Sequence, residues 1–352
     1  IDRKLSYEDE NIGLCVFGDE LSSEFSIDNT AYGKYIVFSM RMDSISIGKE
    51  ARLHIKKRVA EYKRSFEVED LSSKQLAEIR EEVYSELAEN AKPNINTLQV
   101  LIDTTNQSVL ISSAGTAMCD KFNLIFTKAF EIKLTEMNFV SVANGILDSD
   151  VFEQMLDHPG IAIVKDLEVS PEFEDTPEGH LGSGFLTWLL FSLSTGDGIF
   201  KCSDKEEYSL VVMDQLTMQG EAVGVRTVDL KKGVLGRCAE LKSSLHQGKQ
   251  VSKMLIHMAV GRMMEGTEGD NEEDFKADEW DFSIDKRNFD FGNLKVPKSD
   301  SSGDVGKLLQ RFGYITDAVR VMDDIFEHYL TIRYHKNWIK TIIKIQEWIK
   351  GM

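Results

Sequence analysis

With 59 acidic and 41 basic side chains in 352 residues, the chain has a formal net charge of −18. Its 42% hydrophobic content excludes global disorder, and its five prolines and 25 glycines exclude a collagen-like or low-complexity chain. No apolar run approaches the ~18 residues of a membrane-spanning helix, and the length predicts two or three domains with ample buried core.

Residues 30–48 predict a strand, in which Tyr35, Val37, Ser39 and Arg41 alternate with Ile36, Phe38, Met40 and Met42. Residues 49–67 predict a helix with Ala51, Ile55, Val59, Tyr62 and Phe66 as its apolar stripe. Arg52, Lys56, Lys57, Arg58, Lys63 and Arg64 make that helix basic, mostly off the stripe. A second helix follows from Ser73 to Asn90, opened by a Ser72/Gln75 capping box and stopped by Pro93. Leu98–Ile102 and Ser108–Ser112 predict a hairpin, and Ala114–Phe130 an amphipathic helix with Met118, Phe122, Ile125 and Phe126 inward.

Pro171–Gly184 is polar and punctuated by Gly and Pro, which predicts a connector. Phe185–Leu193 predicts an apolar helix centred on Trp188. Tyr208–Met213 and Ala222–Val228 predict strands, and Val234–Leu245 and Val251–Met263 predict helices joined at Gly248. Gly266–Asp285, strongly acidic, predicts an exposed loop, Phe289–Val296 a short strand, and Gly306 onward one or two long helices. The fold class is therefore α+β and multi-domain, with mixed sheets, amphipathic helices and long C-terminal helices. The expected domains are 1–140, an α+β domain with the basic helix and hairpin; 141–262, an α+β domain with a basic segment; and 263–352, the acidic loop and helical region.

Few constellations carry chemistry. Cys15, Cys119, Cys202 and Cys238 are widely separated, so neither a zinc knuckle nor a disulfide framework is indicated, and reduced, buried thiols in a cytoplasmic protein are expected. Asp103 and Asp214 stand at expected strand ends as the candidate metal ligands of a nuclease, but no second carboxylate follows at a recognisable spacing and turn chemistry is the favoured account of each. The acidic run from Glu265 to Asp285 lacks the order of a calcium loop. His328 and His335 lie seven apart on an expected helix with no third ligand at metal-site spacing. "GHLGSG" and "LKKGVLGR" match neither a P-loop nor a dinucleotide fingerprint. No catalytic residue, metal or cofactor is assigned.

Charge is segregated along the chain. Residues 93–180 carry −10 and 263–304 carry −8, whereas 181–262 carry +2 and 305–352 carry +3. Arg226–Arg262 holds eight basic residues against two acidic ones. Two basic segments on an acidic body permit a localised phosphate-binding surface, with duplex backbone favoured over stacked single strands because aromatics are sparse in the second segment.

The order of several segments resembles the RdgC family of bacterial recombination-associated DNA-binding proteins. The resemblance runs through "ENIGLCVFGD" at 10–19, "YIVFSMRMDSISIGKEARLHIKKRVAEYKR" at 35–64, "TLQVLIDTTNQSVLISSAG" at 97–115, "GSGFLTWLLFS" at 182–192, "LHQGKQVSKMLIHM" at 245–258 and "QRFGYITDAV" at 310–319. Leu14 stands where the family has Trp and Gly48 where it has Pro. The resemblance implies a ring-shaped homodimer that encircles double-stranded DNA without sequence preference and restrains RecA-mediated recombination. It implies a cytoplasmic, nucleoid-associated protein with no membrane partner. Lys249 and Lys253 match a Gly-Lys-x-Val-x-Lys segment of the family, and their spacing of four places them on one face of the expected helix. Arg52, Lys56 and Lys57 come next, from the matching basic helix, followed by Lys231, Lys232, Arg237 and Lys242 of the second basic segment. Two other readings stand beside this one: a metal-dependent DNA exonuclease using Asp103, Asp214 and the Glu265 region, and an interaction scaffold using the acidic blocks 131–180 and 265–285.

Overall fold

The computed structural model describes residues 10–45, 47–113, 115–157, 177–196, 198–220, 227–231, 238–263 and 275–350. The chain divides into two compact units, Ile1–Lys133 and Leu134–Met352.

The first unit runs β1 (Glu10–Cys15), α1 (Ile27–Thr30), β2 (Ala31–Tyr32), β3 (Tyr35–Ser44), α2 (Glu50–Phe66), α3 (Ser73–Asn90), β4 (Asn94–Asp103), β5 (Ser108–Ile111) and α4 (Thr116–Phe130). Its sheet has the order β1-β3-β4-β5, with β2 also on β3, and every pairing is antiparallel. β3 is central and buries Val37 and Phe38, Ser39 and Met40 alike, so both of its faces are covered. α4 turns Phe122 and Phe126 inward, and Phe126 and Phe130 continue a ring ladder onto Phe38. The expected capping box is present: Ser72 N–H donates to Gln75 Oε1 at 2.9 Å, and the Ser72 hydroxyl accepts from Gln75 N–H.

The second unit runs α5 (Phe139–Ile146), α6 (Ser149–Asp157), α7 (Pro177–Thr195), β6 (Ile199–Lys201), β7 (Glu207–Gln219), β8 (Thr227–Lys231), α8 (Ala239–His246), β9 (Gln250–Met263), β10 (Phe275–Asp285), β11 (Phe291–Lys295), α9 (Asp304–Arg333) and α10 (Trp338–Lys350). The sheet order is β11-β10-β9-β7-β6, with β8 on β7, again antiparallel throughout. Tyr208, Leu210, Met254, Ile256, Met258, Trp280, Phe282 and Ile284 bury one face of this sheet in a core shared with Phe185, Leu189, Phe326 and Tyr329 of α7 and α9. Aromatic contacts link Phe139, Phe185, Phe289, Phe326 and Tyr329, and the Trp280 indole donates to the Tyr314 carbonyl at 2.9 Å.

The α+β class stands, but the sheets are antiparallel rather than mixed among the described residues. Three segments differ from the sequence expectation. Val251–Met263 is the strand β9, not a helix. Its Met, Leu and Ala content favours helix locally, yet Met254, Ile256, Met258 and Val260 alternate with half-buried or exposed positions, and that period of two prevails. The part of the expected acidic loop that is described, Phe275–Asp285, is the strand β10, with Trp280, Phe282 and Ile284 fully buried between Glu279, Asp281 and Asp285. Residues 264–274 lie outside the described residues. The described part of the expected 171–184 connector belongs to α7, which starts at Pro177, a residue suited to the first helical position. A Cβ at Gly182 would sit 1.8 Å from the Lys286 carbonyl, and one at Gly184 2.7 Å from the Tyr329 hydroxyl. The glycines of "GHLGSG" thus serve close packing of a helix. Because β9 and β10 pair along their length, the expected domain boundary at 262/263 falls inside one sheet. Of the expected strand at 222–228 and helix at 234–245, residues 222–226 and 234–237 lie outside the described residues, and the remainder fall in β8 and in α8 with its N-cap Cys238.

Candidate nucleic-acid interface

α2 is positioned by its apolar stripe: Ala51 is buried, and Ile55, Val59 and Tyr62 are half-buried. Tyr62 accepts a hydrogen bond from Gln75 of α3 at 3.1 Å, and Arg58 pairs with Glu86 of α3 at 2.6 Å. With about 100° between successive residues, Lys49, Arg52 and Lys56 share one face of the helix, flanked by Lys57 and Arg64, so that five cations cover an arc of roughly 140°. All five are exposed, and none has an ion-pair partner among the described residues. From Lys49 to Arg64 the stripe is about 22 Å long, roughly six phosphate spacings along one DNA strand. Lys63, on the same face, is tied to the Glu69 carbonyl and to Asp70 at 3.3 Å. Lys49 is the N-cap of α2 and precedes its apolar stripe, but its helical backbone angles keep it in the projection of the basic face.

The second basic segment is arranged differently. Lys249 immediately precedes β9 and Lys253 lies within it, so the expected shared helix face does not exist. Lys249 is only 5% exposed, and its ammonium donates to Gln247 Oε1 at 3.0 Å. Lys253 is exposed on the open face of the sheet, but the register sets it opposite Asp285 of β10 and Thr217 of β7. Thr217 in turn donates to Asp229 of β8 at 2.7 Å, so this row reads Asp229, Thr217, Lys253, Asp285. Two rows further along the same face, past Leu255 and Ser283, His257 joins Asp281 at 2.9 Å, with Lys295 3.5 Å from the same carboxylate. The His257 hydrogen bond, reinforced by Lys295 against the effect of burial, holds the Asp281 carboxyl below its ordinary range. Lys231 is exposed at the end of β8, and Lys242 is half-buried on α8. Lys232 and Arg237 lie outside the described residues.

The acidic candidates also separate. Asp103 is fully buried and accepts from Lys34 at 3.1 Å, from the Thr105 and Asn106 backbone at 2.9 and 3.2 Å, and from the Asn106 amide at 3.0 Å. Burial pushes its carboxyl up, but these donors outweigh burial and hold it below the ordinary range. Asp103 therefore caps the hairpin turn. Asp214 is exposed within β7, where the register with β9 shifts, rather than at a strand end. His335 lies in the turn between α9 and α10, not on a helix with His328. Cys15 and Cys202 are buried and Cys119 and Cys238 half-buried, all as free thiols; burial, with Asp324 nearby, pushes the Cys202 thiol up to about 12. Among the described residues no three His, Cys, Asp or Glu side chains converge as a metal site, and no helix is long and apolar enough to cross a membrane. No protein-family model and no curated protein matches the chain.

Proposed function

We propose that the protein binds the phosphate backbone of duplex DNA, without sequence preference and without chemistry on the DNA, through the basic face of α2. One observation carries the reading: Arg52, Lys56 and Lys57, extended by Lys49 and Arg64, present unpaired cations to water along one helix of a chain whose net charge is −18. Such a stripe displaces condensed counterions from DNA, which favours association irrespective of sequence. The acidic remainder of the surface restricts binding to that stripe. The resemblance to the RdgC family adds the larger assembly to the proposal: a ring-shaped homodimer that encloses the duplex and restrains RecA by occupying the DNA. Lys231 and Lys253 play a lesser part, and Lys249 is too buried to reach a phosphate.

The test is a salt titration of binding to linear duplex, single-stranded and closed circular DNA with magnesium present. The expected result is duplex affinity that falls linearly on a logarithmic salt scale, with the DNA left intact. Replacing Arg52, Lys56 and Lys57 together by Ala should flatten the slope by about 2.7 and weaken binding on the order of a hundredfold near 0.1 M salt. Release from closed circles slower than from short linear duplex supports the ring. Affinity indifferent to salt or to the triple substitution overturns the interface. Magnesium-dependent cleavage replaces the reading with the nuclease, and no binding at low salt replaces it with the scaffold.

A further inference from the structure

A cavity of about 370 Å³ opens in the second unit, where α7, β6, α9 and α10 meet. Its apolar wall is Trp188 and Phe191 of α7, Ile199 and Phe200 of β6, and Ile332 of α9. The wall is preorganised. The Trp188 indole is buried, stacks on Phe185 at 6.2 Å and meets Phe200 edge-on at 6.4 Å, and Phe191 meets Trp348 edge-on at 5.8 Å. Ile199 is nevertheless 48% exposed, so a ligand in the cavity would cover apolar surface now facing water.

Among the described residues the polar lining is one-sided in charge: His328 and Lys344 are its titratable members, and no carboxylate of those residues lines the cavity, although acidic side chains predominate in the chain as a whole. Lys344 has no ion-pair partner among the described residues, and the hydroxyls of Ser192 and Thr341 there have no hydrogen-bond partner among them. Apolar walls with a few convergent polar groups are the composition of small-molecule sites, and the volume lies in their range. We propose that this cavity binds a small organic anion with a flat apolar body, of the aromatic carboxylate class. The ring lies against Trp188 and Phe200, and the carboxylate accepts from Lys344 and the neighbouring hydroxyls. This site is independent of the DNA interface.

Calorimetric titration of the full chain with 2-naphthoate and with its neutral isostere 2-naphthamide tests the proposal. The acid should bind about tenfold more tightly than the amide, the difference made by one charge-assisted hydrogen bond. Lys344→Glu should abolish that preference while leaving amide affinity within about twofold. Lys350→Glu, an exposed charge reversal on the same helix away from the cavity, should change neither. Thermal melts confirm that both variants fold. Equal binding of acid and amide, equal effects of the two reversals, or no saturable binding at millimolar naphthoate each overturns the assignment.

Discussion

The two units handle charge in opposite ways. In the first, the buried acids are fully satisfied, as Asp103 is by four donors and Asp43 is by the Nε and Nη2 of Arg41 at 2.7 and 2.9 Å, while Arg52, Lys56, Lys57 and Arg64 of α2 face water with no ion-pair partner among the described residues. In the second, a cation and an acid are drawn inward. Lys249 is buried beside Gln247, and Asp323 of α9 has a buried oxygen with no hydrogen-bond partner among the described residues. The exposed Lys253 meanwhile faces Asp285 across the sheet. Two segments with similar numbers of Lys and Arg thus generate different fields. A helix repeats every 3.6 residues and can collect cations on one side, whereas antiparallel strands set each cation against the neighbouring strand's side chain. A phosphate-binding surface follows from that geometry rather than from the basic count.

Stability gives the largest effects by which the contrast can be broken. Asp103→Ala leaves Lys34, two backbone N–H groups and the Asn106 amide without their acceptor, and should cost about 3 kcal/mol in denaturant unfolding at pH 7. Because the Asp103 carboxyl is held below its ordinary range, its stabilisation is complete above the unfolded-state value and is lost as pH falls through the folded one. The variant should therefore show a shallower acid limb. An unfolding free energy within about 0.5 kcal/mol of the parent would show that the turn does not depend on this side chain.

Asp323 has the opposite sign. Burial, with Asp324 beside it, pushes its carboxyl up to about 7. Between the ordinary carboxylate range and that value the folded protein holds a proton the unfolded chain has released, so stability declines as pH rises across this window. Asp323→Asn removes the decline and should raise stability at pH 8 by about 2 kcal/mol, with little change at pH 4. Paired melts at the two pH values check it. The same pH difference in parent and variant would mean that the second unit satisfies this acid after all.

The first unit follows closely from local sequence because its signals agree with one another. The Ser72/Gln75 box, the aliphatic run of β3 and the Asp103 turn each select the structure they occupy. In the second unit they conflict. β9 is rich in residues that favour helix, β10 is dense in acids, and the start of α7 is dense in glycine. In each case a tertiary demand decides: a buried sheet face for β9 and β10, and backbone approach at Gly182 and Gly184 for α7. The basic face of α2 could be read from the chain because helical periodicity fixes it. The burial of Lys249 could not, since it depends on Gly220, where a Cβ would come within 2.9 Å of the Lys249 Cα, and on the Gln247 turn, both distant from any charge pattern.

The smallest expected effect isolates the contrast most directly. Lys231→Ala combined with Lys253→Ala removes two exposed cations of the second unit, fewer by one than the α2 triple substitution. If basic residues acted by number alone, the loss would be about two-thirds of the triple's on a logarithmic scale, with a salt slope flatter by about 1.8. The register predicts much less. Lys253 sits opposite Asp285, with Asp229 in the same row of the sheet, so the local field there has no excess of positive charge to release counterions from DNA. Duplex affinity should stay within about threefold of the parent, and the salt slope should change by less than one. A hundredfold loss would place the open face of the second sheet against the phosphate backbone and demote α2. A threefold loss, beside the collapse expected of the α2 triple, locates the binding surface on the helix, because exposed cations were removed in both and only their surroundings differ.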